Sequence, residues 1–266
     1  MTLPHIALLA ALAVLAYTYV GYPLLLAAWA RLAPRPVRRG AFQPAVAIII
    51  VVHNGAAVIG RKVRTCLEQD YPQEKLRVLV ISDGSRDATF TAIRAIGDPR
   101  VKLLAFPFRR GKAACLNDAV ALCDEEVIVF TDARQPLDRR AVRHLVANLG
   151  DAEVGAVSGQ LVFERDGMTA FGEGLDAYWR YEKFLRRAEG RIRSTVGVTG
   201  ALYALRRECF REIPADTVLD DVLIPMNVVM QGRRVIFEDE ALVFDHASPD
   251  ARAERSRRAW SIFAPP

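Results

Sequence analysis

The sequence predicts an α/β protein in which a central, mostly parallel sheet is flanked by helices and preceded by one N-terminal transmembrane helix. Three observations lead there. The stretch HIALLAALAVLAYTYVGYPLLLAAWA, residues 5–30, precedes Arg31, the first charged side chain. Short, continuous apolar runs rich in β-branched residues then alternate with helical stretches, as strands buried on both faces do when helices cross between them. Beyond Leu149 the alternation changes character, which predicts added elements that pack on the first half and complete a cleft.

Residues 5–30 are long enough, at about 1.5 Å per residue, to cross a hydrocarbon core of about 30 Å with some tilt. Ala28-Trp29-Ala30 loosely mimics a signal-peptide cleavage site. However, no Lys or Arg precedes the run, and its length exceeds the 7 to 15 residues of a signal core, so we read an anchor. Arg31, Arg35, Arg38 and Arg39 follow at once in a basic linker, residues 31–44. By the positive-inside rule this places the rest of the chain in the cytoplasm, held by a single pass in the cytoplasmic membrane. AVAIIIVV (45–52) reads as the first strand and residues 56–69 as a helix. LRVLVIS, a helix over 87–96, VKLLAF, a helix over 112–122 and EVIVFT follow. In the second half EVGAVSGQLVF reads as a strand, 168–192 as a long amphipathic helix, GALYALRR as a strand, and 221–232 as a helix closed by Gly232. RRVIFEDEALVF reads as two short strands around an acidic turn.

The four cysteines form neither a C-x-x-C pair nor a zinc spacing with histidine, which fits reduced thiols in the cytoplasm. A net charge of +5 raises nucleic acid as a partner. The arginines, however, cluster beside the membrane span and in the basic tail, 249–266, where anionic headgroups account for them without nucleic acid.

Several polar residues fall where strands end and helices begin, the place at which open α/β sheets hold ligands. Asn54 and Gly55 follow the first strand, where backbone N–H groups at a helix start can approach a nucleotide; an ordinary helix cap looks the same. Asp83 ends the second strand, before Gly84-Ser85 and Asp87, and can accept a hydrogen bond from a base or ribose, although an Asp-Gly turn has the same pattern. FRRGKAACLNDA departs from a phosphate-binding P-loop, with Phe106 in place of the first glycine and Ala113 in place of Ser or Thr, but Arg110 and Lys112 remain as counter-charges for phosphate. Asp132 ends the fourth apolar run, where a hard oxygen ligand suits Mg2+ or Mn2+ on a diphosphate. Asp220 and Asp221 stand at a helix start, where acids are favourable by roughly 0.3 to 1 kcal/mol each and where one of them can act as a general base.

The order of these segments is more specific than any one of them. Asn54 after strand one, DGSRDAT after strand two, RRGKAACLN, FTDA, GVTGALYALRR and LDD before RRVIFEDEALV resemble the family 2 glycosyltransferases with a GT-A fold, over residues 45–248. The pattern is most similar to membrane-bound bacterial synthases of hyaluronan, chitin, cellulose and poly-N-acetylglucosamine. The resemblance implies that Asn54 and Asp83 recognise the nucleotide, usually uridine, and that Lys112 lies near the phosphates. It implies that Asp132 is the first acid of a D-x-D motif binding Mg2+ or Mn2+, that Asp221, beside Asp220, is the catalytic base, and that Gly200 and Ala201 form the loop beside donor sugar and acceptor. The implied reaction inverts the anomeric centre and moves a sugar from a UDP-sugar to a glycan or lipid-linked acceptor.

Two departures stand out. Arg134 replaces the second acid of D-x-D, so either Asp132 acts with diphosphate oxygens and water or Arg134 itself offsets phosphate charge. His246 is a candidate late metal ligand, with a structural role as the alternative. The tail ERSRRAWSIFAPP lacks the Q-x-x-R-W spacing and the later membrane helices of processive relatives. This leads us to expect a truncated member, a short-product transferase, or a unit working with a membrane partner subunit. A catalytically impaired nucleotide-sugar-binding subunit is the second reading. A sugar nucleotidyltransferase is the third, against which stands the lack of a glycine-rich loop for a free triphosphate.

Overall fold

The computed structural model describes residues 2–164 and 170–246, apart from the side chains of 164–177 and 246. The chain opens with one apolar helix of 30 residues, Leu3–Leu32, long and apolar enough to cross a membrane. It consists of α1 (Leu3–Ala16), a single π-turn at Tyr17–Gly21, and α2 (Tyr22–Leu32). Residues 2–20 expose every side chain. In α2 one face is covered, with Leu26 and Ala30 packed against Ala188.

Seven strands form one sheet in the order β3-β2-β1-β4-β6-β5-β7. They are β1 (Val46–Val52), β2 (Leu76–Asp83), β3 (Val101–Phe106), β4 (Val127–Thr131), β5 (Val154–Glu164), β6 (Leu202–Arg206) and β7 (Arg234–His246). β1 pairs in parallel with β2 and β4, and β2 with β3. β6 runs antiparallel to β4 and β5, while β5 and β7 are parallel. The alternation of side chains along β1 separates two cores. Val46, Ile48 and Ile50 meet Ile59 and Val63 of α3 (Ala56–Leu67) and Leu145 of α6 (Ala141–Asn148). Ala47 and Ile49 join Leu116 of α5 (Lys112–Ala121) and Val228 of α8 (Asp220–Met230) on the other face. The remaining helices are α4 (Thr89–Arg94) and the long α7 (Ala170–Ile192), which lies against α2.

Three expectations are corrected. The segment 233–244 is not two strands around a turn: β7 is continuous. Its register with β5 jumps from Ser158↔Phe237 to Gln160↔Leu242, so the acidic residues 238–240 occupy an irregularity in the ladder rather than a chain reversal. α6 is a helix where the sequence reading assigns none. The helix expected over 87–96 is shorter, Thr89–Arg94: Asp87 stands before it and accepts Thr89 N at 3.0 Å, and the side chains of Asp87 and Thr89 also serve the start of α3. Gly55 N donates to Thr89 Oγ1 at 2.8 Å and Ala56 N to Asp87 Oδ2 at 3.1 Å. Gly232 closes α8 as expected, at φ +81°.

Candidate active site

The carboxyl ends of β1, β2 and β4 lie side by side, and their loops are tied to one another by side-chain-to-backbone hydrogen bonds. Asn54, just after β1, adopts φ 51°, a left-handed conformation that asparagine tolerates better than most residues. Its Oδ1 accepts from Arg86 N at 2.8 Å, which fastens the first loop to the second. Asp83, at the end of β2, is buried, and its two oxygens accept Arg110 N at 2.6 Å and Gly111 N at 3.0 Å. The carboxylate therefore fixes the loop that leads into α5. Gly84, at φ +64°, lies so close to this loop that an added Cβ would stand 2.5 Å from Arg109 N.

Gly111, at φ +90°, delivers Lys112 as the first residue of α5. The ammonium of Lys112 stands 3.3 Å from Asp132 Oδ1 and 3.1 Å from Asp220 Oδ2. The second contact has the distance of an ion pair but not the direction of a good hydrogen bond, since Asp220 Oδ2 is otherwise without a partner among the described residues. Burial opposes the lysine charge, but Asp132 and Asp220 outweigh it and hold the pKa above the ordinary lysine value. Arg110 is occupied elsewhere, paired with Asp118 and stacked over Phe106.

Asp132, half-exposed, follows β4. Beneath it Thr131 donates its hydroxyl to Ala201 O at 2.7 Å and accepts from the buried ammonium of Lys62 at 2.6 Å. Lys62 also donates to Gln135 O at 2.5 Å. Arg134 is paired with Asp245 at 2.5 Å, and Gln135 Nε2 donates to the same carboxylate at 3.1 Å. At the other side of the site, the turn before β6 passes so close to Asp221 that a Cβ on Gly200 would stand 3.0 Å from Asp221 Oδ2. Partial burial, then the charge of Asp220, raises the Asp221 carboxyl above the ordinary aspartate value, against the pull of Lys112.

Lys112, Asp132, Asp220, Asp221 and Gly200 are thus brought together, with Ala201 buried beneath. Asn54 and Asp83 belong to the adjoining loops, Arg134 is turned to β7, and the side chain of His246 lies outside the described residues, as does the tail 249–266. Two residues of the site are missing from the sequence reading. Lys62 falls within the apolar stripe Ile59, Val63, Cys66 of α3, and a cation in such a stripe is the signal that could have found it. Tyr203 is fully buried, and its hydroxyl has no partner among the described residues. Burial, then the charges of Asp220, Asp221 and Asp132, keeps that phenol protonated. Nothing in its strand pattern distinguishes it from a core aromatic.

A divalent ion bound here would have to meet this donor set. Among the described residues no three His, Cys, Asp or Glu side chains lie close enough to hold one unaided. Asp132 offers one accessible hard oxygen, so the site fits an ion whose remaining ligands are diphosphate oxygens and water.

The family model for glycosyl transferase family 2 matches residues 47–213, well over half of the chain. The chain belongs to glycosyl transferase family 2. An N-acetylglucosaminyltransferase of Rhizobium meliloti is 29% identical over 175 residues, 64% of this chain and 41% of that protein. A beta-monoglucosyldiacylglycerol synthase of Synechocystis is 24% identical over 56% of this chain and 33% of its own length. This family 2 chain therefore spans less than half the length of these curated relatives. Among solved structures, the mannosyltransferase PcManGT of Pyrobaculum calidifontis, in complex with GDP-Man and Mn2+, is 30% identical with a TM-score of 0.75, covering 94% of this chain and 72% of that one. The α/β architecture is that of the GT-A glycosyltransferases, and the solved mannosyltransferase holds a nucleotide sugar, GDP-Man.

Proposed function

We propose that this chain is a membrane-anchored, inverting glycosyltransferase that moves a sugar from a nucleotide-sugar, a UDP-sugar in our reading, to a glycan or lipid-linked acceptor in polysaccharide biosynthesis. The observation that carries the proposal is the meeting of Lys112 with Asp132 and Asp220, beside Asp221 and Gly200, at the carboxyl ends of the parallel strands. Asp221 is the general base. Its raised pKa makes it a better proton acceptor than an ordinary aspartate, and it sits against the Gly200 turn, where an acceptor hydroxyl has room to approach. Lys112 faces the diphosphate, and Asn54 and Asp83 hold the loops that form the nucleotide end. Asp132 would hold Mg2+ or Mn2+, which when bound supplies positive charge to the departing diphosphate. The relatives named above differ in sugar, and the solved one carries GDP-Man, so UDP is the part of this reading that a donor screen tests first.

The helix Leu3–Leu32, with Arg31 in its last turn and Arg35, Arg38 and Arg39 after it, supports a single-pass anchor with the transferase portion in the cytoplasm. Its uncovered part, residues 3–20, is about 27 Å long at 1.5 Å per residue, close to the hydrocarbon thickness. The second reading, a nucleotide-sugar-binding subunit without turnover, is favoured by Arg134 in the place of an acid. The full chain in detergent with Mg2+ or Mn2+ and a panel of nucleotide sugars separates the two. The enzyme releases nucleoside diphosphate from one donor, and Asp221→Asn lowers that rate by about 10² to 10⁴ while nucleotide binding persists. Absence of turnover and of any thermal shift across the panel sinks the transferase reading.

A further inference from the structure

A cavity of about 550 Å³ lies at the foot of the apolar helix, between α2, the linker that follows it, α7 and β7. Its size is within the range of about 300 to 1,000 Å³ for small-molecule sites. Five arginines line it, Arg31, Arg35, Arg39, Arg187 and Arg191, against one carboxylate, Asp239. Asp239 is spent on Arg187, and Arg39 is paired with Glu238 at 2.5 Å and Glu240 at 3.9 Å. That leaves Arg31, Arg35 and Arg191, whose guanidinium groups have no ion-pair partner among the described residues. The fold holds two of these residues side by side. Arg35 N donates to Arg191 O at 2.7 Å, and the buried Arg234 donates Nη2 to Arg35 O and to Gly190 O, each at 2.9 Å. The linker is thereby fastened to the end of α7, and three uncompensated cations line one cavity although their charges repel one another. An anion placed among them removes that repulsion.

The place of the cavity indicates which anion it meets. Ala27 and Ala30 of α2 and Phe184 of α7 belong to the same lining, so the wall turns from cationic to apolar on the side of the membrane helix. Leu3–Leu32 is about 45 Å long at 1.5 Å per residue, the thickness of a bilayer with both headgroup layers, and Arg31 stands in its last turn. The anion carried at that level is the phosphate of a phospholipid, and a guanidinium fork matches two phosphate oxygens at once. A soluble phosphate makes no use of the apolar wall, whereas a phospholipid has chains to lay on it. We propose that this cavity binds one anionic phospholipid of the cytoplasmic leaflet, with its phosphate on Arg31, Arg35 and Arg191 and its first acyl carbons against Ala27 and Phe184. The lipid then bridges α2 and α7 and holds the α/β portion to the membrane at one defined site, rather than through diffuse surface charge alone. The inference rests on the reading of Leu3–Leu32 as a membrane span.

The test uses the full chain in a non-ionic detergent, with bound lipid counted by native mass spectrometry. The probes are dioctanoyl phosphatidylglycerol, dioctanoyl phosphatidylcholine and glycerol 3-phosphate. The expected result is a single saturable phosphatidylglycerol adduct, bound about tenfold more tightly than phosphatidylcholine. Arg35→Gln with Arg191→Gln weakens that adduct by about tenfold or more, the loss of charge-assisted hydrogen bonds at about 1.4 kcal/mol per factor of ten. Should the double variant fail to fold, each single variant is read instead and lowers the affinity by about threefold or more. Arg61→Gln with Arg140→Gln removes the same charge from exposed positions outside the cavity and leaves the adduct unchanged. Equal binding of the two lipids, or equal losses in the cavity and control variants, overturns the proposal in favour of diffuse charge. Glycerol 3-phosphate bound as tightly as phosphatidylglycerol overturns the lipid as the ligand and identifies a soluble phosphate. The span is tested apart from this, by washing membranes that contain the chain with alkaline carbonate. Release of the chain with the adduct intact overturns the span and with it the leaflet assignment, while retention without an adduct overturns the lipid site and leaves the anchor standing.

Discussion

Lys62 gives the most exact test of how the site is built. It is 1% exposed, and burial pushes its ammonium down to about 8, from an ordinary 10.5, against the attraction of Cys66 and Asp132. The folded lysine therefore releases its proton more readily than the unfolded one, and between pH 8 and 10.5 the unfolded state binds more protons. Stability then rises with pH across that window. Below pH 8 the fold carries a buried charge at full cost; above 10.5 both states are neutral and the cost is gone. A difference of about 2.5 pH units at 1.36 kcal/mol each amounts to about 3 kcal/mol. Lys62→Met removes the titration and keeps an unbranched chain, while Thr131 Oγ1 and Gln135 O lose a donor at a cost of about 1 to 3 kcal/mol that does not depend on pH. Denaturant unfolding of both proteins in the same detergent, from pH 7.5 to 10.5, gives a difference curve from which the other lysines and the tyrosines cancel. Wild type minus variant should climb by about 3 kcal/mol over the window, with the two proteins close in stability near pH 7. A flat or falling difference curve would refute the burial of a charged Lys62 beneath Asp132.

Three further outcomes follow from the same geometry. Asp220→Asn removes the charge that helps raise Asp221, so the acidic limb of the pH profile for nucleoside diphosphate release should move to lower pH; a limb that stays in place or moves up contradicts the coupling. Gly84→Ala puts a Cβ 2.5 Å from Arg109 N and 2.7 Å from Phe108 C at a φ of +64°, so the 108–111 loop must shift. The backbone cost is about 1 to 2 kcal/mol, and the KM for the donor should rise at least tenfold, checked by thermal unfolding and donor titration. Gly200→Ala sets a methyl against the Asp221 carboxylate, 3.0 Å from Oδ2, and should lower kcat more than it raises the donor KM; the reverse pattern in steady-state kinetics counts against Asp221 as the base.

The strands most legible in the sequence are those with both faces covered. β1, β2 and β4 are continuous β-branched runs because each alternate residue enters one of two cores, and no turn residue interrupts them. β7 misleads for the opposite reason. Its acidic residues 238–240 have the composition of a turn, yet Glu238 is buried and receives Arg39 and Asn148 Nδ2, contacts made 199 and 90 residues away. α6 carries Val142, Leu145 and Val146 at helical spacing, but over eight residues the pattern is too short to separate from a loop. At the site, positions after strands mark Asn54, Asp83, Lys112 and Asp132 as candidates, because loop placement is a local property. Which carboxylate answers which cation is not local. Arg134 with Asp245 spans 111 residues, and nothing around position 134 announces it.

That pairing bears on what Arg134 does in an acid's place. If its guanidinium were unanswered, it would serve as a counter-charge for phosphate and lessen the need for an ion. It is instead held by Asp245, and Arg110 is held by Asp118. Around the Gly200 turn and Asp132 this leaves three carboxylates, Asp132, Asp220 and Asp221, with the Lys112 ammonium against two of them and the Lys62 ammonium buried beneath Asp132. A diphosphate approaching that surface adds negative charge to negative charge, and at distances near 4 Å each unscreened repulsion is on the order of 1 to 4 kcal/mol. On the proposed transferase reading, the donor then arrives with positive charge of its own. A site with one accessible carboxylate and no closed ligand cage is suited to a donor that brings its cation, because the diphosphate supplies the oxygens the protein lacks. On that reading, an arginine spent on β7 in the second acid's place weakens the protein's own hold on an ion while leaving the electrostatic demand for one intact.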